Sequence, residues 1–404
     1  MPIPGTTALH INGELVRIPG KVALILSCLL RRGITTAWVD AICINQTDQV
    51  EKGEQVSIIG AIYVAAEEVV IVLGKPTANT DRVFTPSDLS LSSFPMFDRG
   101  IIEILSHKYW LRAWILQEVG LANKIRLVCG NAEYRPPDFD ALAIALHKGR
   151  KNNFESYAGE KALESISTTY DRALESPLKI LGRTSRAQCS DPRDALYSKR
   201  ELLQDPELIG YPDYSISANE LFIRFAMNNV KTGRLDILHH TLGKRDKRLP
   251  SWVPDWTPGR HHTDKQAGFN ADRLFYLDSD ATEDESSPRG LIHVDQQELI
   301  VTGIILKQIC EPHDPGSCHM RGTNEPKNDM MACTSWGVEK MMTDTYLCQI
   351  DYCELPIVLR FQGEYWKVVT ADDQDDVELW LAHERHHFDG GWDWPIAKTV
   401  FRIR

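Results

Sequence analysis

The stretch AWVDAICINQTDQVEKGEQVSIIGAIYVAAEEVVIVLG, residues 37–74, decides the predicted fold. Its first part, residues 37–44, is apolar except for Asp40, and a run of that length is typical of a strand covered on both faces. The middle part has apolar residues at helical spacing, and residues 69–73 form a second apolar run. We therefore predict a strand, a crossover helix and a second, parallel strand, which together make a βαβ unit.

Asp40 is the one carboxylate in the first apolar run. In a strand covered on both faces it must find partners, because a buried bare carboxylate is costly. One interpretation is a catalytic or ligand-binding carboxylate near the carboxyl end of the strand. The favoured one is a structural carboxylate that caps a loop or pairs with Arg112, since structural ion pairs perturb pKa values as readily as active sites do.

The loop after this run, residues 45–48, is polar. Ligands of open parallel sheets bind outside the carboxyl ends of the strands, so Asn45 is a candidate binding residue. The favoured interpretation is structural: a turn in which Thr47 or Asp48 caps the next helix.

A second informative block, residues 108–122, reads KYWLRAWILQEVGLA. As one helix it would place Trp110, Trp114 and Glu118 on a single face. A carboxylate beside indole rings is desolvated, which suits acid/base chemistry. Arg112 would lie on another face and would not neutralise Glu118 directly. The alternative is an amphipathic core helix whose glutamate bonds a nearby backbone group or Arg193.

Local signals predict several other elements. Asn12-Gly13 between short apolar runs indicates a hairpin, and the helix after it should end at Gly33. The remaining predictions are a strand over 124–129, a turn fixed by Pro192, a helix over 219–231, an acidic loop over 278–288, and β-structure over 299–309 and 354–369.

Composition narrows the class of protein. Of 404 residues, 43% are hydrophobic and 25% charged, as in ordinary globular proteins. The net charge of -11 argues against nucleic-acid binding as the main function. No span-length apolar stretch or basic leader is present near the start, so we expect a cytoplasmic protein without a membrane span. Nine cysteines, an odd number without a C-x-x-C pair, fit free thiols in a reducing compartment.

Three blocks together resemble the heterokaryon-incompatibility (HET) domain of filamentous fungi. They are WVDAICINQ at 38–46, the pattern aromatic, x, Arg, x, Trp, x, x, Gln-Glu at 110–118, and DPRD at 191–194. The resemblance extends over about 11–256. Ser198 to Glu201 stand where the family has small apolar residues. The family's opening Ser-Tyr-x-Trp-Gly block is absent, so its strand should be missing or supplied from elsewhere.

The resemblance implies an α/β fold with an open parallel sheet, similar to flavodoxin and to the Toll/interleukin-receptor (TIR) domain. We expect this HET-type domain over 1–134, a helical extension over 135–258, and a β-rich region with an acidic loop over 259–404.

For function, the resemblance implies non-self recognition between fungi and programmed cell death, with other proteins as partners. The alternative is an enzyme on the same scaffold, either an NAD glycohydrolase or an enzyme of small-molecule biosynthesis. Its acid/base carboxylates would be Glu118 and Asp40, and its binding residues would be Asn45, Arg112, Trp114 and Arg193. No cofactor is evident; NAD would be the substrate of the first enzyme.

Other enzyme classes lack their motifs. His383-Glu384-x-x-His387 matches the zincin pattern, but its middle positions are Arg and His, so a solvated charged helix is favoured and no metal site is expected. The sequence has no Gly-x-Gly-x-x-Gly, P-loop or Gly-x-Ser-x-Gly motif.

Overall fold

The structure is a computed structural model. It describes residues 6–75, 77, 80, 103–104, 107–134, 177–183, 187–242, 246–258, 293–295, 297–309, 320–321, 344–351, 353, 357–368 and 399–404. The predicted acidic loop over 278–288, the motif at 383–387 and the segment 135–176 lie outside these residues. Among the described helices, none combines the length and the apolar character that crossing a membrane requires.

The chain forms two compact units. The first comprises Met1–Glu175, Tyr197–Gln204 and Tyr211–Ser215. The second comprises Ser176–Leu196, Asp205–Gly210 and Ile216–Arg404.

The first unit opens with the predicted hairpin, which is confirmed. Strands β1 (Thr6–Ile11) and β2 (Glu14–Pro19) pair antiparallel. Asn12 and Gly13 have φ values of 53° and 85°, the positive values that a tight type I′ turn requires. Helix α1 (Gly20–Arg31) follows directly, and Gly33, at φ 72°, lies just beyond its end as predicted.

The predicted first strand of the βαβ unit is wrong. Residues 34–39 have no regular secondary structure, and α2 (Asp40–Cys43) is a single helical turn. The Asp40 carboxylate accepts the N–H of Ala41 at 2.7 Å, and the N–H of Cys43 bonds the carbonyl of Val39 at 2.9 Å. Short apolar runs fit a strand and a helix equally well, and here this local hydrogen bonding favours the turn.

The predicted helix after the polar loop is confirmed as α3 (Gln49–Ala65). Its N-cap is Asp48, whose carboxylate accepts the N–H groups of Val50 and Glu51 at 2.9 and 3.1 Å. These bonds satisfy two of the donors that a helix start leaves free.

A small mixed sheet follows α3. Strand β3 (Val69–Gly74) pairs in parallel with β4 (Ile125–Cys129), and β4 pairs antiparallel with β5 (Ala132–Tyr134). The N-terminal part is therefore a mixed α/β structure with a parallel pair. That pair joins β3 to β4 rather than to the predicted strand over 37–44.

Ion pairs connect the end of α1 to this sheet. Arg126 on β4 donates to Glu68 next to β3, through Nε at 2.9 Å. Glu133 on β5 lies 3.7 Å from the guanidinium of Arg126 and 3.3 Å from that of Arg32, which follows α1. Both arginine side chains are only 10% exposed, so the network balances charges in a largely buried place.

Two short segments from later in the chain belong to the first unit and pack against α3. Gly53 faces Pro212 so closely that a Cβ at Gly53 would lie 2.5 Å from the Pro212 carbonyl oxygen. The ammonium group of Lys52 lies 3.7 Å from the centre of the Tyr214 ring, a cation–π contact. Tyr197 exchanges hydrogen bonds of 3.0 Å with the backbone of Asp213, which fixes the second segment.

The second unit contains three described α-helices, in whole or in large part, and a β-rich sheet. The helices are short α5 (Pro177–Arg183), α6 (Asp194–Tyr197), which ends at the unit boundary, and α7 (Ala218–Lys231), capped by Ser217. The predicted helix over 219–231 is thus confirmed. On α7, Phe222 and Phe225 pack edge-to-face on Trp256, with ring centres 5.4 and 5.1 Å away.

The predicted β-rich C-terminal part is confirmed as a seven-stranded sheet that closes on itself. Strand β7 pairs with β9 and β12, and the path from β9 through β10 and β11 returns to β12, so five strands form a ring. Strands β6 and β8 attach to β7. The strands are β6 (His293–Val294), β7 (Leu299–Ile309), β8 (Met320–Arg321), β9 (Thr345–Ile350), β10 (Ile357–Phe361), β11 (Trp366–Val368) and β12 (Thr399–Ile403).

The close approach of Gly53 to Pro212 predicts that a small substitution destabilises the protein at Gly53 but not at the neighbouring exposed position. Gly53→Ala should lower the free energy of unfolding by about 1–3 kcal/mol, because its methyl group meets backbone that cannot turn away. Urea denaturation measures the change. Glu54→Ala, on the exposed face of the same helix, is the control and should stay within about 0.5 kcal/mol. A Gly53→Ala protein as stable as this control would contradict the packing described.

Candidate functional site

The block over 108–122 is not one helix, and the prediction of a shared Trp110, Trp114 and Glu118 face is wrong. A 3-10 turn, Lys108–Leu111, is followed by an extended residue, Arg112, with φ -72° and ψ 137°. Helix α4 (Ile115–Gly120) begins only after Trp114. Trp110 is buried, and its indole N–H donates to the carbonyl of Ile104 at 2.6 Å.

This break in the helix brings Arg112 and Tyr109 to Glu118. The Tyr109 hydroxyl donates to the Glu118 carboxylate at 2.7 Å. The guanidinium of Arg112 lies 3.2 Å from the other carboxylate oxygen. The expectation that Arg112 would not neutralise Glu118 is therefore wrong, and the reason is that it assumed an unbroken helix.

Exposure differs sharply between the two partners of this ion pair. The Glu118 side chain is 12% exposed, whereas that of Arg112 is 44% exposed. The Arg112 guanidinium also lies 5.7 Å from the centre of the Tyr109 ring. The carboxylate of Glu118 raises the pKa of Arg112, so the guanidinium stays charged.

Two tyrosines contribute their phenols to the cluster. Burial, followed by the charge of Glu118, raises the pKa of both Tyr63 and Tyr109 above the ordinary value. Both phenols are therefore neutral at neutral pH, and that of Tyr109 donates its proton to the Glu118 carboxylate. Tyr63 projects from α3 and meets the ring of Trp38 edge-to-face, with ring centres 6.1 Å apart.

Asp40 lies at the outer side of this cluster. The prediction of a buried carboxylate is wrong, because the residue is exposed on the turn α2. Its charge still contributes to raising the pKa of Tyr63 and of Arg112. We call the five residues Asp40, Tyr63, Tyr109, Arg112 and Glu118 the Glu118 cluster.

The predicted residue Asn45 belongs to a local turn. Its side-chain oxygen accepts the N–H and hydroxyl of Thr47 at 3.2 and 2.7 Å. Its own N–H donates to the Glu51 carboxylate at 2.9 Å. The structural interpretation of this loop is thus confirmed, and a binding role for the exposed Asn45 stays a prediction.

Arg193 and Trp114 are not members of the Glu118 cluster. Arg193 lies in the second unit, where it forks onto the Asp191 carboxylate at 2.7 and 2.9 Å and donates to the Ile216 carbonyl at 2.8 Å. This confirms the turn predicted around Pro192. Trp114 is half-buried at the start of α4. Binding roles for Arg193 and Trp114 stay predictions.

Sequence reasoning missed Tyr63 and Tyr109. Tyr109 stands in the block that already contained Arg112 and Glu118, but a continuous helix would separate positions 109 and 118 by two and a half turns. Tyr63 follows the helical spacing of α3, which indicates a packed helix face and not a site residue. Recognising the 3-10 turn would have brought Tyr109 into consideration.

The chemistry of the cluster is that of a satisfied carboxylate. Glu118 holds a neutral phenol donor and a guanidinium, so the desolvated, unpaired carboxylate expected beside two indoles is not what the structure shows. A carboxylate can accept about four hydrogen bonds, which leaves Glu118 capacity for a further donor. The described part of the chain contains no group of three or more His, Cys, Asp or Glu side chains arranged to hold a metal ion.

Removing one phenol tests this geometry. Tyr109→Phe should lower the free energy of unfolding by about 1–3 kcal/mol, because a mostly buried carboxylate loses a charge-assisted donor. Thermal or urea denaturation measures the loss. Tyr63→Phe is the matched control, since the Tyr63 hydroxyl makes no hydrogen bond within the described ranges, and it should change stability by less than about 0.5 kcal/mol. Equal effects of the two variants would contradict the assigned donor.

Comparison with known families gives a match in the N-terminal region. Residues 3–118 match the family model described as Heterokaryon incompatibility protein (HET). The five residues of the Glu118 cluster all lie within this match, and Glu118 is its last residue. Searches among curated proteins and solved structures found no match.

Proposed function

We propose that this chain acts in heterokaryon incompatibility, as a factor that senses non-self after cell fusion and triggers cell death in a filamentous fungus. The observation that supports this function is the match of residues 3–118 to the HET family, which covers the whole Glu118 cluster. In this proposal the first unit carries the recognition function, and other proteins are its partners.

The structure of the cluster favours recognition over acid/base chemistry. A general base needs a carboxylate that is free to take a proton from its substrate. Glu118 instead has an ion pair with Arg112 and a hydrogen bond from Tyr109. Charged and aromatic groups that are exposed on one side and held in place on the other are suited to contacting a partner.

Cell fusion tests the proposal. A fungal strain that produces the full-length chain is fused with a panel of genetically different strains and with itself, and dying fusion cells are counted with a vital dye. We expect excess death in some non-self pairs and none in self pairs. Glu118→Gln should abolish the excess, because it removes the charge that holds Arg112.

The matched control is Glu220→Gln. Glu220 pairs with Arg224 at 2.6 Å on the surface of α7, so the substitution removes a glutamate–arginine pair outside the HET match. This variant should kill as the wild type does at equal abundance. No excess death in any pair, or equal death with Glu118→Gln, would overturn the proposal. Release of nicotinamide from NAD by the purified wild type would favour the enzyme instead.

A further inference from the structure

An arginine side chain already occupies the Glu118 cluster. The Arg112 guanidinium is held by the Glu118 carboxylate at 3.2 Å and lies 5.7 Å from the centre of the Tyr109 ring. Guanidinium groups combine well with both partners, because they fork onto carboxylates and stack on aromatic faces. The cluster is therefore built to hold a cation of this shape.

Arg112 is held in this place by a modest interaction energy. The Arg112 side chain is 44% exposed, whereas the carboxylate that it contacts belongs to a side chain that is 12% exposed. Ion pairs with one partly exposed partner contribute modestly to stability, because water and salt screen the attraction. Exchanging Arg112 for a second cation would consequently cost little, provided that Glu118 stays satisfied.

The charges of the cluster favour a cation as its ligand. Asp40 and Glu118 carry two negative charges against the single positive charge of Arg112, and the two phenols are neutral. An anion would meet this net negative charge, whereas a cation would balance it. Asp40 is exposed, and its negative charge acts on Arg112, so it adds to the attraction for a second cation.

We propose that the Glu118 cluster binds an arginine side chain of a partner protein, in the place that Arg112 occupies, and that Arg112 is an internal competitor for this place. The inference rests on the proposed recognition function and names the chemistry that is recognised. A peptide arginine is favoured over free arginine, because the free amino acid would also have to desolvate its charged α-ammonium and α-carboxylate groups.

The test measures binding of small probes to the purified full-length chain by ligand-observed NMR. The probes are N-acetylarginine amide, its neutral isostere N-acetylcitrulline amide, and free arginine. Arg112→Ala should bind N-acetylarginine amide about fivefold more tightly than the wild type, since a weak internal competitor is gone. N-acetylcitrulline amide should not bind, and free arginine should bind more weakly than the blocked amide.

Two control variants separate competition from a general loss of structure. Arg112→Lys keeps a cation beside Glu118, so its affinity should stay near that of the wild type. Arg224→Ala likewise removes the arginine partner of a glutamate, Glu220 on α7. The ring contacts described for α7 are those of Phe222 and Phe225, and none involves Glu220. This variant should therefore gain no binding. Circular dichroism confirms that each variant is folded.

Further variants show whether the gained site is the cluster. In the Arg112→Ala background, Glu118→Gln should abolish binding, and Tyr109→Phe, which keeps the carboxylate, should weaken it. The proposal is overturned if Arg112→Ala binds the arginine probe no better than the citrulline probe, or if free arginine binds best. Such a failure would leave the cell-fusion result untouched, because that assay does not depend on which chemistry is recognised.

Discussion

The carboxylate of Glu118 sets the arrangement of the first unit's site. A side chain that is 12% exposed cannot keep a negative charge without partners, and it takes one donor from Tyr109 and one cation from Arg112. Both partners precede Glu118 by fewer than ten residues. A continuous helix would hold them away from the carboxylate, so the helix must be interrupted between them and Glu118. The extended conformation of Arg112, between a 3-10 turn and α4, supplies that break.

Helix α3 connects this site to the rest of the first unit. It carries Tyr63 to the cluster, while Gly53 on the same helix approaches the Pro212 carbonyl and Lys52 lies over the Tyr214 ring. The segments that contain these later residues lie beyond the HET match, which ends at residue 118. The unit that presents the Glu118 cluster therefore includes more of the chain than the match covers.

Elements with a local physical signature could be predicted from the sequence. Asn12-Gly13 indicated a turn that needs positive φ, Thr47 or Asp48 indicated a helix start, and residues 299–309 formed a strand-like run. The failures were at 37–44 and 108–122, where apolar spacing fits more than one conformation. There the conformation depended on hydrogen bonds of single side chains, which periodicity does not encode. The Asp40 carboxylate accepts the N–H of Ala41, and the Tyr109 hydroxyl donates to Glu118.

Asp40, Tyr63, Tyr109, Arg112 and Glu118 form one electrostatic cluster around the Glu118 carboxylate. An NMR titration of tyrosines labelled at the ring carbon next to the hydroxyl tests this arrangement, with Tyr63 and Tyr109 assigned from their phenylalanine variants. Both should stay protonated at about pH 10, where an ordinary tyrosine is half ionised. Glu118→Gln should lower the pKa of both, because it removes the charge that opposes ionisation. Ordinary titration of both tyrosines in the folded wild type, or no change in Glu118→Gln, would contradict the account.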